Sequence, residues 1–300
     1  MLYGIKTVLK YALGKDLAGR NLKVYPDDTF LVSFPRSGNT WVRFLIANLA
    51  FPGTTVSFAN IERLIPDTSS QSSQALKRTP RPRIIKSHEY FEARYPKVIY
   101  IVRDPRDVAL SYYSFSRKYR HIDDSCSLEK YVSIFVQSIP WSTWGTWGEN
   151  VGSWVVPRWR HPNFLLVRYE DLKQDTTSEL GKVARFMGID ASSERLAAAV
   201  EASSAGRMRE LERSQSQHWV ATKGKRDDIP FVRSAKAGSW KTELPPASIA
   251  EIEQAWGDLM MALGYELAVV NPASVAGSLL GRMTMGQDWN QARAGTAEPH

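Results

Sequence analysis

Residues 30–49, FLVSFPRSGNTWVRFLIANL, constrain the fold more than any other stretch of the chain. Phe30 to Phe34 is a short apolar run of the kind that forms a buried parallel strand. Pro35 to Thr40 is a turn-rich hexapeptide, and Trp41 to Leu49 has helical spacing, with Trp41, Phe44, Leu45 and Asn48 on one side. A strand, a tight loop and a helix start make an anion site, because the first N–H groups of the helix have no internal partner and the macrodipole adds partial positive charge. Gly38 lets the backbone approach the anion, Ser37 and Thr40 offer hydroxyls, and Arg36 supplies a fixed charge with a donor fork. The ligand this implies is a phosphate. The loop is not a Walker A, which needs a second glycine and a Lys-Ser/Thr pair.

The chain beyond the loop repeats the same strand–loop–helix grammar. Residues 51–82 read as irregular, with SSQSSQALKRTPRPR expected as a mobile surface loop over or beside the site. Arg83 to Lys86 is a short strand leading into Ser87, His88 and Glu89, and Lys97 to Arg103 is a third strand. The helix after it is well signalled, with Asp104 as N-cap, Pro105 at the first helical position and Asp107 three after the cap. Residues 131–160 carry Trp141, Trp144, Trp147, Trp154 and Trp159, which serve either as core packing or as a sugar- or lipid-facing wall. Asn163 to Arg168 is a further buried strand, and helices follow at about 178–187, 193–201 and 247–262. The fold class is therefore α/β: a central parallel sheet flanked by helices on both faces, with ligands at the C-terminal ends of the strands.

Composition narrows the class without naming it. The 300 residues are 43% hydrophobic and 23% charged, as in a soluble globular protein. A net charge of +8 fits any polyanionic partner. No nucleic-acid recognition module is visible, and the basic residues are dispersed. The single cysteine, Cys126, excludes an internal disulfide and a multi-Cys zinc site. The first twenty residues lack a long apolar region and a cleavage site, so a signal peptide is not expected and the location expected is cytoplasmic. They read as a basic amphipathic helix, with Leu2, Ile5, Leu9, Ala12 and Leu13 opposite Lys6, Lys10 and Lys15. That helix either packs on its own domain or makes weak contact with a membrane surface. The expected division is an extension at 1–27, one domain at 28–268 and a peripheral tail at 269–300.

Several separated segments resemble one family. FPRSGNTW is similar to the 5′-phosphosulfate loop of the sulfotransferases that use PAPS (3′-phosphoadenosine 5′-phosphosulfate), which carries Arg36, Ser37, Gly38, Asn39, Thr40 and Trp41 into cofactor binding. VRDPRDVALSYYSF resembles the family's 3′-phosphate segment and assigns that role to Arg103 and Ser111. RYEDL resembles the YEDL segment whose tyrosine reaches the adenine, here Tyr169. GTWGENVGSW resembles a further family block, with Asn150 where a His is common. FVRSAKAGSWK resembles the segment that closes over the 3′-phosphate and points to Arg233. The chain departs from the family at Ser234 and Ala235, which replace Lys-Gly, and at Ala205, which replaces a stacking Phe; Ser203 or Ser204 remains a phosphate donor candidate.

The resemblance implies in-line transfer of a sulfuryl group from PAPS to an acceptor hydroxyl or amine, the acceptor being a small molecule, lipid or carbohydrate. Arg36 would stand beside the leaving oxygen, where charge builds, and Lys86 would hold the sulfonate and bridging oxygens. His88 occupies the position of the family's catalytic His, with Glu89 the alternative base. Strand parity sends Lys86 and His88 to one side and Glu89 to the other. No carboxylate pair suggests a metal, and none is expected. Two other readings stand beside this one: a catalytically weakened relative that only binds nucleotide, and a P-loop-type kinase, whose metal-bridging Lys-Ser/Thr is missing. Acceptor identity and oligomeric state are not written in the sequence.

Overall fold

The four predicted strands pair into one parallel sheet. They are β1 (Thr29–Ser33), β2 (Ile84–Ser87), β3 (Lys97–Val102) and β4 (Phe164–Arg168), in the order β2-β1-β3-β4. The computed structural model describes residues 18–215, 217, 219, 221–233 and 236–268. The expected N-terminal amphipathic helix, the expected tail, Ser234 and Ala235 all lie outside the described residues.

The described helices, in chain order, are α1 (Asn39–Ala50), α2 (Ile61–Leu64), α3 (Ser73–Arg78), α4 (Pro105–Lys118), α5 (Leu128–Gln137) and α6 (Trp147–Arg158). Then come α7 (Tyr169–Gln174), α8 (Thr176–Met187), α9 (Ser193–Ala202), α10 (Ala205–Gln215), α11 (Trp240–Glu243) and α12 (Pro246–Ala262). Alternation along the strands divides the core into two layers. Phe30, Val32 and Phe34 join Val98, Tyr100 and Val102 against α4, α5, α6 and α12. Leu31, Ile99 and Ile101 pack on the opposite side against α1, α8, α9 and α10. Both faces are covered, which is why these strands read as unbroken apolar runs.

The strand order reverses at β1, with β2 on one side of it and β3 on the other. That reversal opens a crevice at the C-terminal ends of β1 and β3, the usual ligand position of such sheets. The loop after β1, the α4 start after β3 and His88 after β2 all meet at this end. Asp104 caps α4 as its sequence indicates, accepting the Arg106 N–H at 2.9 Å, with Pro105 at the helix start.

Two expectations change. Residues 51–82 are not simply irregular: α2 and α3 lie within them, and the Ser72 side chain caps α3 by accepting the Ala75 N–H at 3.1 Å. Pro66 to Thr68 also runs along the open edge of β2, with Lys86 N–H donating to Pro66 O at 2.8 Å and Thr68 N–H to Lys86 O at 3.0 Å. β4 is an edge strand rather than a buried one, since of its five residues only Val167 is fully buried. The tryptophans divide between the two roles offered for them. Trp147 and Trp154 are core, whereas Trp141 and Trp144 line the cavity described next.

Candidate active site

The loop between β1 and α1 is held open by its backbone. Gly38 has φ 96°, a left-handed conformation. A Cβ there would come within 2.5 Å of the Tyr169 ring, so glycine is required both for the turn and for the tyrosine's approach. Arg36 shares the left-handed region at φ 69°, which costs an arginine roughly 1 kcal/mol or more. The first helical bond of α1 runs from Val42 N–H to Gly38 O, and no side chain caps the turn. The N–H groups of Gly38, Asn39, Thr40 and Trp41 therefore face the crevice without helical partners.

Arg36, Gly38, Asn39, Thr40, Trp41, Lys86, His88, Arg103, Ser111, Tyr169 and Arg233 all line a single cavity of about 450 Å³. Ser37 lies just beneath it, fully buried. Arg36 donates from Nε to Ser111 Oγ at 3.2 Å and from Nη2 to Phe231 O at 2.9 Å. Its guanidinium sits 5.1 Å from the Phe115 ring and 4.5 Å from that of Phe231. Burial lowers its pKa to about 10, leaving it charged at neutral pH. Arg103 donates from Nη2 to Lys236 O at 2.9 Å, lies 4.4 Å over the Tyr169 ring and approaches Asp107 at 3.7 Å. Arg233 pairs with Glu243 at 2.6 Å. The Asn39 amide turns inward, donating to Ser33 Oγ at 3.1 Å, so only its backbone faces a ligand.

His88 has a defined proton arrangement. Its Nδ1 lies 2.7 Å from Ser33 O, and a carbonyl only accepts, so Nδ1 carries the hydrogen and Nε2 is the free acceptor. Burial, then the Lys86 cation, pushes its pKa down to about 3 against the pull of Asp67 and the Ser33 carbonyl. Lys86 is ion-paired with Asp67, a residue that nothing in the irregular 51–82 stretch marked out. Glu89 turns away and binds Arg20 at 3.2 Å. Asn150 anchors this end from below: its Nδ2 donates to His88 O at 3.1 Å and Trp144 O at 3.3 Å, and its Oδ1 accepts from Tyr100 Oη at 2.8 Å.

One donor candidate is removed. Ser203 is fully buried, its hydroxyl accepting from Asn48 Nδ2 at 3.0 Å and its carbonyl from Trp41 Nε1 at 2.9 Å. Part of the remaining wall is aromatic, built by Tyr112, Phe115, Tyr119, His121, Trp141, Trp144, Trp219 and Phe231, while Arg43, Glu62, Asp67, Ser69, Ser70 and Lys173 give it a polar side. The sequence reading offered only Trp141 and Trp144 among these as a wall. Phe231 comes from a coil segment tied down by Glu212, which accepts the Val232 N–H at 2.9 Å.

The donor set tests whether a bisphosphorylated nucleotide fits. Among the described residues, Ser37 Oγ, Arg103 Nε and Arg233 Nη2 are buried and have no hydrogen-bond partner. Unpaired donors of this kind, beside an uncapped helix start, suit an anion with several oxygens. They fit the group the loop motif implies.

Comparisons with known proteins agree with this geometry. The sulfotransferase domain family model matches residues 26–264. Human sulfotransferase 2A1 is 28% identical over 256 residues, covering 80% of this chain and 87% of the relative. The 3-beta-hydroxysteroid sulfotransferase of Cavia porcellus is 29% identical over 251 residues, covering 79% and 85%. Among solved structures, mouse sulfotransferase SULT7A1 complexed with PAP superposes with a TM-score of 0.67 at 23% identity, over 91% of this chain and 92% of that one. Retinol dehydratase in complex with androsterone and inactive cofactor PAP gives 0.66 at 20% identity, over 85% and 86%. The chain belongs to the sulfotransferase family, and is an enzyme that transfers a sulfuryl group from PAPS to an acceptor. Among the described residues no helix is long and apolar enough to cross a membrane.

Proposed function

We propose that the acceptor is a small, largely apolar molecule carrying a hydroxyl, and that His88 takes its proton. The observation that carries this reading is the shared cavity: the anion loop, the unprotonated Nε2 side of His88 and an aromatic wall line one space. The relative named for a hydroxysteroid substrate supports the same acceptor class. A carbohydrate would need many polar partners, and the wall of Phe115, Tyr119, Trp141 and Phe231 offers few.

PAPS, when bound, supplies the sulfuryl group and a bisphosphate leaving group. Ser37 and the N–H groups from Gly38 to Trp41 hold its 5′ end, with Arg36 countering the charge that develops there. Arg103, Ser111 and Arg233 hold the 3′-phosphate, and Tyr169 and Trp41 bound the adenine side. His88 orients the acceptor hydroxyl and receives its proton at Nε2, Nδ1–H being secured by Ser33 O. Lys86 supplies a second cation at the reacting end. Arg36 and Lys86 together make a metal unnecessary. A cytoplasmic location fits the single cysteine.

A panel of acceptors with labelled PAPS tests the acceptor class. Apolar alcohols and phenols should be sulfated, and Trp141→Ala should raise their KM while PAP binding holds. Preferential labelling of sugars or polysaccharides would overturn the assignment.

A further inference from the structure

The cavity contains one buried carboxylate that the transfer scheme does not use, and it is aimed at a group that the scheme does. Asp67 arrives from outside the sheet, where Pro66 to Thr68 pairs with the edge of β2 directly at Lys86. The backbone register sets Asp67 opposite Lys86, and the two side chains close into an ion pair. Asp67 and Lys86 keep only 9% and 10% of their side-chain surface exposed. The other carboxylate oxygen accepts the Ser69 N–H at 2.9 Å and the Ser69 hydroxyl at 2.7 Å. Asp67 therefore cannot rotate away without leaving several buried groups unpaired. Burial alone would raise its pKa, but Lys86, His88 and Arg43 outweigh that and hold it well below the usual carboxylate range.

A lysine on four rotatable bonds is a poor fixed charge by itself, since its ammonium can occupy many positions. We propose that Asp67 is a positioning residue for sulfuryl transfer, holding the Lys86 ammonium at one point of the cavity beside His88. The inference rests on the role given to Lys86 above. Asp67 touches neither reactant in this scheme; it acts through the lysine. Preorganisation of that cation removes the reorganisation that a mobile ammonium would need as charge shifts during transfer.

The test is a double-mutant cycle on the full chain, with PAP titration counting folded sites. Asp67→Asn should lower kcat about tenfold or more while the Kd for PAP stays within about threefold. Asp67→Glu should recover part of the rate. In a Lys86→Met background, Asp67→Asn should cost little further, because the group it positions is gone. If Asp67→Asn leaves kcat per PAP-binding site unchanged, or if its loss multiplies fully with that of Lys86→Met, Asp67 does not act through Lys86. If Lys86→Met itself retains wild-type kcat, the role of Lys86 is what fails. Should Asp67→Asn not fold, Asp67→Glu carries the test: a lowered kcat at unchanged PAP affinity would keep the positioning role, whereas a wild-type kcat, or loss of PAP binding in step with kcat, would overturn it.

Discussion

At the scale of single residues, His88 is the most exposed to test. His88→Ala should reduce kcat about a hundredfold or more with PAP affinity nearly intact, while Glu89→Ala should cost far less because its carboxylate faces Arg20. The pH dependence departs from that of an ordinary histidine. A pKa near 3 keeps Nε2 available in acid, so the acid limb of kcat/KM should fall well below pH 6.5 rather than track it. Stability should move in the same interval. Unfolded chains bind a proton at this imidazole below about 6.5 and the folded protein only near 3, so His88 lowers stability progressively as pH falls from 6.5 toward 3. Urea titrations of His88→Gln should show a shallower loss over that interval; an unchanged slope would contradict the buried, neutral imidazole. Arg103 gives a second residue-level outcome. Arg103→Ala should weaken PAP by about 2 kcal/mol or more, and a nucleotide without the 3′-phosphate much less, read by calorimetry. Equal losses for both ligands would remove the 3′-phosphate assignment.

Among the secondary-structure elements, α4 does more than follow its strand. Its first turn presents Asp107, fully buried, which accepts the Gly238 N–H at 2.7 Å and the Trp240 N–H at 3.1 Å. Through these bonds α4 holds the segment whose Lys236 carbonyl receives Arg103. The same helix carries Ser111 one face along, so one element organises both sides of the proposed 3′-phosphate site. Asp107→Ala should leave one buried and one half-buried donor unpaired, cost about 2 kcal/mol in chemical denaturation and weaken PAP binding together with it. A variant that loses stability but binds PAP as before would separate the two effects and sever this link.

Over the whole molecule, the two cations proposed for the reacting end, Arg36 and Lys86, line one cavity, which gives a simple prediction about metals. Activity should survive EDTA, and added Mg²⁺ should not be required; complete chelator inhibition reversed by a divalent ion would point instead to metal-assisted chemistry. The architecture was legible where the code is local. FLVSFPRSGNTW wrote a strand, a glycine turn and a helix start into adjacent residues, and DPRD wrote the cap and first turn of α4. Parity likewise separated Lys86 and His88 from Glu89, because a strand alternates its side chains whatever it packs against. None of this gave Asp67, Asn150 or Phe231 the contacts they make. Asp67 matters because a coil segment pairs with an open sheet edge, and Asn150 because a helix lies beneath the His88 carbonyl. Phe231 matters because Glu212 pins a coil over Arg36. Local spacing thus determined the fold class and the anion loop, since backbone geometry and helix-end hydrogen bonding act over a few residues. Only the tertiary structure decided what surrounds the reacting groups, because those neighbours come from segments 19 to 195 positions apart that the chain's own periodicity does not relate.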